Sequence, residues 1–144
     1  MCDKLIKAAI AAMEKAYAPY SGFAVGAAIL DEKGNIHSGA NIENAAYPQG
    51  CCAEASAISV MIIAGGRQIR KIAVAGRGEL LCTPCGGCRQ KIREFGTADT
   101  QIVICDEAGP RQTFTLDALL PFSFGPDNLD KSCLLYTSDA ADEV

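Results

Sequence analysis

The spacing Cys85-Gly86-Gly87-Cys88, preceded by Pro84 and matched at a distance by Cys52-Ala53-Glu54, constrains this chain more than any other feature. Two sulfurs three residues apart at a helix start face one point, as a zinc site requires. The helical amides there, carrying roughly +0.5 charge, favour the thiolate form. Cys52, at the start of another predicted helix, can supply a third sulfur. Three protein ligands leave the fourth tetrahedral position to water, which separates a catalytic zinc from a closed structural one. Glu54 follows Cys52 by two residues in the same first turn. It cannot easily ligate the metal from there, but it can lean over the open position as a proton carrier. The fold must therefore bring two helix N-termini together.

Other readings of the cysteines explain less. A lone redox pair of the thioredoxin kind leaves Cys52-Ala53-Glu54 without a purpose. A closed four-cysteine zinc could recruit Cys82 or Cys51, but small structural knuckles come as two Cys-x-x-Cys pairs and this chain has one. Cys2, Cys51, Cys82 and Cys105 read as core residues, and His37, the only histidine, as a surface or strand residue rather than a ligand. The start of the chain resembles a signal peptide only until Glu14-Lys15, so reduced thiols and metal chemistry are expected rather than a disulfide framework.

Composition removes whole classes of function. The net charge is −4, from 13 basic against 17 acidic residues, and a nucleic-acid binder needs a basic face to displace phosphate counterions. No apolar run approaches the roughly 20 residues of a membrane span. With 144 residues, 49% of them apolar, the chain can bury one core and not two.

Periodicity predicts an amphipathic helix over residues 2–16, a β-hairpin from residues 25–30 and 36–42, and a largely buried, Ala-rich helix over 52–64. A strand at 71–75, a helix at 85–95, strands at 101–105 and 112–115, and a helical turn at 116–120 follow. That order describes an α/β protein, a mixed sheet covered by helices. The connector between the last two strands, residues 106–111, is too short for a parallel crossover, so that pair should be antiparallel. Residues 132–144 have no periodic partner, and their run Cys133-Leu134-Leu135-Tyr136-Thr137-Ser138-Asp139 reads like a translated sequencing adapter. The expected folded domain is therefore residues 1–131, with a non-native tail after it.

Several segments together resemble a family. They are Pro19-Tyr20-Ser21-Gly22-Phe23-Ala24-Val25-Gly26-Ala27-Ala28, Asn41-Ile42-Glu43-Asn44-Ala45-Ala46-Tyr47-Pro48, Cys52-Ala53-Glu54, Pro84-Cys85-Gly86-Gly87-Cys88-Arg89-Gln90, and Leu119-Leu120-Pro121-Phe122-Ser123-Phe124-Gly125-Pro126. In this order, over residues 4–131, the chain resembles the small homotetrameric cytidine deaminases of the three-cysteine zinc type.

The resemblance implies a three-layer α/β/α fold with a mixed five-stranded sheet, a zinc ion held by Cys52, Cys85 and Cys88, and hydrolytic deamination of cytidine and 2′-deoxycytidine in pyrimidine salvage in the cytoplasm. It implies that zinc-activated hydroxide attacks C4 while Glu54 shuttles protons to N3 and the leaving ammonia. The Ala53 amide would hold the base O2, Phe23 and Val25 would pack on the pyrimidine, and Asn41 and Glu43 would bind the ribose 3′-hydroxyl. Ala45 and Tyr47 would come from one neighbouring subunit and Phe124 from another.

One position departs from the family pattern. Many members carry Arg directly after the catalytic Glu, where it offsets charge on sulfur; here that residue is Ala55. Arg89, next to Cys88, is the candidate charge-tuning substitute, together with the two helix N-termini. A blasticidin-type nucleoside deaminase is the nearest rival reading, and a non-catalytic zinc module the rival from another class. A polynucleotide deaminase fits neither the acidic charge nor the cysteine first ligand.

Overall fold

The computed structural model describes residues 2–129, so the expectation of a tail at 132–144 lies outside the described residues. Helix α1 (Cys2–Met13) is followed by strands β1 (Val25–Asp31) and β2 (Ile36–Ala40), helix α2 (Ala53–Ile63) and strand β3 (Ile69–Gly76). Helix α3 (Gly86–Phe95), strands β4 (Gln101–Asp106) and β5 (Gly109–Thr115), and the short α4 (Leu116–Leu119) follow, with 3-10 turns at Tyr47–Gln49 and Pro126–Leu129. The five strands form one sheet in the order β2-β1-β3-β4-β5. Only β3 and β4 run parallel, joined through α3; every other pair is antiparallel, including β4–β5 as expected.

Alternation along the strands sorts side chains onto the two faces of one sheet, each covered by helices. Ala27, Ile29, Ile72, Val74, Ile102 and Ile104 face Ala57, Met61 and Ile92 of α2 and α3. Ala28, Ala73, Ala75, Val103 and Cys105 face Leu5, Ile6, Ala9 and Met13 of α1. Two glycines set how closely the helices approach. A Cβ on Gly26 would collide with the α1 backbone at Ala9 and Met13, and one on Gly39 with the α2 backbone at Ser56 and Ala57. Gly39 therefore seats the first two turns of α2, the helix that carries Glu54, directly on β2.

Three expectations change on contact with the structure. The first helix stops at Met13 rather than residue 16, giving way to a turn at Glu14-Lys15. Strand β5 begins at Gly109, three residues early, because Pro110 lies on an edge strand, where a missing N–H disturbs no inner ladder. Helix α2 is not largely buried within the chain: Ser59, Val60 and Ile63 are exposed, Ile63 at 86%. His37 does lie on a strand, but at 8% exposure it is interior, and its Nε2 is 2.7 Å from Asp31 Oδ2. Among the described residues no helix is long and apolar enough to cross a membrane.

Candidate active site

Cys52 and Cys85 occupy equivalent places, each the N-cap of its helix with extended backbone (φ −75°, ψ 155° and φ −66°, ψ 168°). Cys88 completes the first turn of α3 and is buried. The sulfurs of the three residues lie within 4.8 Å of one another. Tetrahedral zinc with Zn–S near 2.3 Å would hold its sulfurs about 3.8 Å apart, so the spacing suits that ion. Backbone pairing fixes the entry to α2. Ile42 and Cys51 exchange N–H···O bonds of 2.9 Å in both directions, which delivers Cys52 to the site.

The chemistry of the donors also asks for a cation. Burial pushes the Cys88 thiol well up, and the charge of Glu54 adds to that push. Burial likewise raises Cys52, whereas the Cys88 backbone amide draws Cys85 down. Three converging sulfurs beside a carboxylate resist joint ionisation, and a bound dication removes that conflict. Zinc therefore fits these residues.

Glu54 sits in the first turn of α2 at 4% exposure. Burial raises its carboxyl above the ordinary range, against lowering contributions from its own backbone amide, the Cys88 thiol and the charge of Lys91. A carboxyl tuned upward beside a metal site suits a proton carrier working near neutrality. Ala53, fully buried, is the first residue of α2, and its amide belongs to the turn whose N–H groups lack helical acceptors.

Cys82 was expected in the core and is half-buried. Burial first, and then Glu54, push its thiol up to about 11. Its Sγ packs against Gly76, where an added Cβ would lie 2.9 Å from it and 3.7 Å from Cζ of Phe23. The Phe23 ring thus reaches the end of β3 beside Cys82, a neighbour of Glu54 that spacing alone did not reveal. Cys51 is exposed rather than core, and neither it nor Cys82 joins the sulfur cluster. Cys105 is a core residue, its thiol 3.4 Å from the Val74 carbonyl. Nothing is described of the Cys2 side chain.

Asn41 and Glu43 grip the segment that carries Phe23 and Val25. Asn41 Oδ1 accepts from the Val25 N–H and its Nδ2 donates to the Phe23 carbonyl, each at 2.9 Å. Glu43 accepts from the N–H groups of Tyr20 and Ser21 and from the Ser21 hydroxyl. The Ser21 hydroxyl leads in holding the Glu43 carboxyl below its usual range. Glu43 and Tyr47 line a cavity of about 350 Å³ with Tyr20, Ser21, Asn44 and Gly50. A larger cleft, about 630 Å³, opens near Arg67, Arg93 and Phe122 and contains none of the cysteines or Glu54, so size does not mark the site.

Ala45 and Phe124 lie on loops and Tyr47 opens a 3-10 turn (Tyr47–Gln49); Tyr47 is 76% and Phe124 58% exposed. Gln90 of α3 donates to the Phe124 carbonyl at 2.8 Å. Arg89 is half-buried, and its guanidinium donates to oxygens of Pro84, Leu119 and Thr83 rather than to sulfur.

Residues 2–104 match the model of the cytidine and deoxycytidylate deaminase zinc-binding region. A cytidine deaminase of Halalkalibacterium halodurans is 42% identical over 88% of this chain and 96% of its own length. The structure of a cytidine deaminase from Burkholderia pseudomallei superposes with a TM-score of 0.81 at 40% identity, covering 86% of this chain and 99% of that one. The one from Mycobacterium tuberculosis gives 0.73 at 36%, over 85% and 96%. The sulfur triad at two helix N-termini, the buried glutamate beside it and these likenesses agree: the chain belongs to the zinc-dependent cytidine deaminase family.

Proposed function

We propose that this protein converts cytidine and 2′-deoxycytidine, with water, to uridine or 2′-deoxyuridine and ammonia. The observation that carries the reading is the buried Glu54 in the first turn of α2, beside the converging sulfurs of Cys52, Cys85 and Cys88. Zinc, when bound by those sulfurs, supplies Lewis-acid activation of water. Glu54 accepts the proton that the attacking water gives up, passes it to N3 of the base, and then assists the amine as it leaves C4. The Ala53 amide donates to O2. Phe23 and Val25 provide an apolar wall, and Asn41 and Glu43 both shape the 20–25 segment and face the ribose hydroxyls.

The assembly is proposed to be a homotetramer working in the cytoplasm, with Ala45 and Tyr47 of one neighbour and Phe124 of another closing each pocket. The exposure of Tyr47, Phe124 and Ile63 supports that reading.

Ammonia release from cytidine, measured with zinc content, tests the reaction. Glu54→Gln should keep zinc and fold while the rate falls by roughly 10² or more, the scale of a lost general acid–base. Near-parental turnover by that variant would remove Glu54 from its role. A marked preference for blasticidin S over cytidine would overturn the substrate.

A further inference from the structure

We infer that Lys91 is the side chain that balances the charge of the three-thiolate centre, an assignment that rests on the zinc reading above. Three thiolates around a dication leave one negative charge in excess, and Glu54 adds a carboxyl beside them. The two helix N-termini, at roughly +0.5 each, together offset about that one charge, which leaves the Glu54 carboxyl as the charge that calls for a full cation close by.

Sequence adjacency points to Arg89, but its geometry points elsewhere. Its Nε donates to the Pro84 carbonyl at 2.7 Å, Nη1 to the Leu119 carbonyl at 2.8 Å, and Nη2 lies 3.3 Å from Thr83 Oγ1. Arg89 fastens the loop before Cys85 to the end of α4; it is a positioning residue for that ligand.

Lys91 lies one helical turn after Gly87, on the same face of α3. Its ammonium folds back over the first turn, so that a Cβ built on Gly87, between the two cysteines of the pair, would stand 3.7 Å from Nζ. It lines a groove of about 440 Å³ between α2 and α3 together with Ala55, Ile58 and Gln90. Both helices bordering that groove begin at the sulfur cluster. Among the described residues Lys91 forms no ion pair, even with Glu94 in the same groove, so its charge is not already neutralised. Ala55, in the same groove and adjacent to Glu54, brings no charge of its own.

The test is zinc retention. Zinc-loaded parent, Lys91→Met, Lys91→Arg and the double variant Lys91→Met with Ala55→Arg are titrated with the chromophoric chelator 4-(2-pyridylazo)resorcinol at neutral pH, with circular dichroism to confirm the fold. Lys91→Met keeps the length and helix propensity of the side chain and should lose zinc about 10-fold more readily, the scale of an outer-sphere partner. Lys91→Arg should stay near the parent, and Ala55→Arg should recover part of the loss, because position 55 lines the same groove. If Lys91→Met holds zinc as the parent does, or Lys91→Arg loses it equally, the assignment falls and the zinc reading stands. A folded parent that takes up no zinc overturns both.

Discussion

Asn41 shows how a residue outside the sulfur cluster can govern the site. Its amide makes one bond to the N–H of Val25 and one to the carbonyl of Phe23, both 2.9 Å, and keeps one N–H and one oxygen lone pair for a ligand. Asn41→Ala should cost about 1–3 kcal/mol of local stability through these bonds. Because the cysteines and Glu54 are untouched, the substitution should raise KM for cytidine more than it lowers kcat. Steady-state kinetics checks this, and an unchanged KM would deny Asn41 both its grip on the 23–25 segment and its proposed ribose contact. The sequence pointed to Asn41 and Glu43 as a polar fork by resemblance, yet their grip on residues 20–25 was not legible there. Which backbone groups a loop amide meets is decided by the crossing of chain segments, not by local spacing. Cys52, Glu54, Cys85 and Cys88 were legible because helical periodicity fixes their relative directions within each first turn. For Arg89 adjacency to Cys88 did not reveal its partners, the oxygens of Pro84, Leu119 and Thr83, since a long side chain ends several ångströms from its own Cα.

At the scale of elements, the β1–β2 hairpin is tied to the end of α2 through Asp31. Burial works to raise its carboxyl, but the His37 side chain and the amides of Asn35 and Lys33 outweigh burial and hold it below the usual range. An ionised carboxylate only accepts, so His37 Nε2–H is the donor at 2.7 Å. Asp31 Oδ2 also packs on Gly66, where an added Cβ would lie 2.8 Å away, in the turn that leads from α2 to β3. A carboxyl whose pKa is lower folded than unfolded adds stability above its unfolded value, near 3.9, and that contribution is lost as pH falls through the folded value. Asp31→Ala should therefore cost about 1–3 kcal/mol at pH 7, and the gap from the parent should narrow below about pH 4. Urea unfolding of both proteins at pH 7 and pH 3 measures it, and a gap independent of pH would deny the carboxylate its charge-dependent part. The hairpin itself was legible from its Asp31-Glu32-Lys33-Gly34-Asn35 turn. The inward side chain of His37 was not, because a short strand beginning at Ile36 leaves its face undefined until it pairs with β1.

At the scale of the whole molecule, a single chain leaves apolar surface that water disfavours. Phe122 is fully exposed at φ 52°, Ile63 is 86% exposed on α2, and Tyr47 and Phe124 are 76% and 58% exposed. The Ala-rich composition of α2 read as buried because an all-round apolar helix gives no sign of which face the sheet covers and which it leaves exposed. If Phe124 of one subunit closes the pocket of another, Glu54 and Phe124 act on the same substrate from different chains. Glu54→Gln and Phe124→Ala should each be poorly active alone. Subunits of the two variants, dissociated, mixed in equal amounts and reassembled, should then recover activity. Each Glu54→Gln chain carries an intact Phe124, and each Phe124→Ala chain an intact Glu54. With random assembly and one phenylalanine donor per pocket, roughly a quarter of the pockets combine the two intact residues. Ammonia release from cytidine by the mixture, compared with each variant taken through the same cycle, reads that fraction directly. Were Phe124 to serve its own chain's pocket, no mixed site could be whole, and the mixture would show only the average of its two inactive parents.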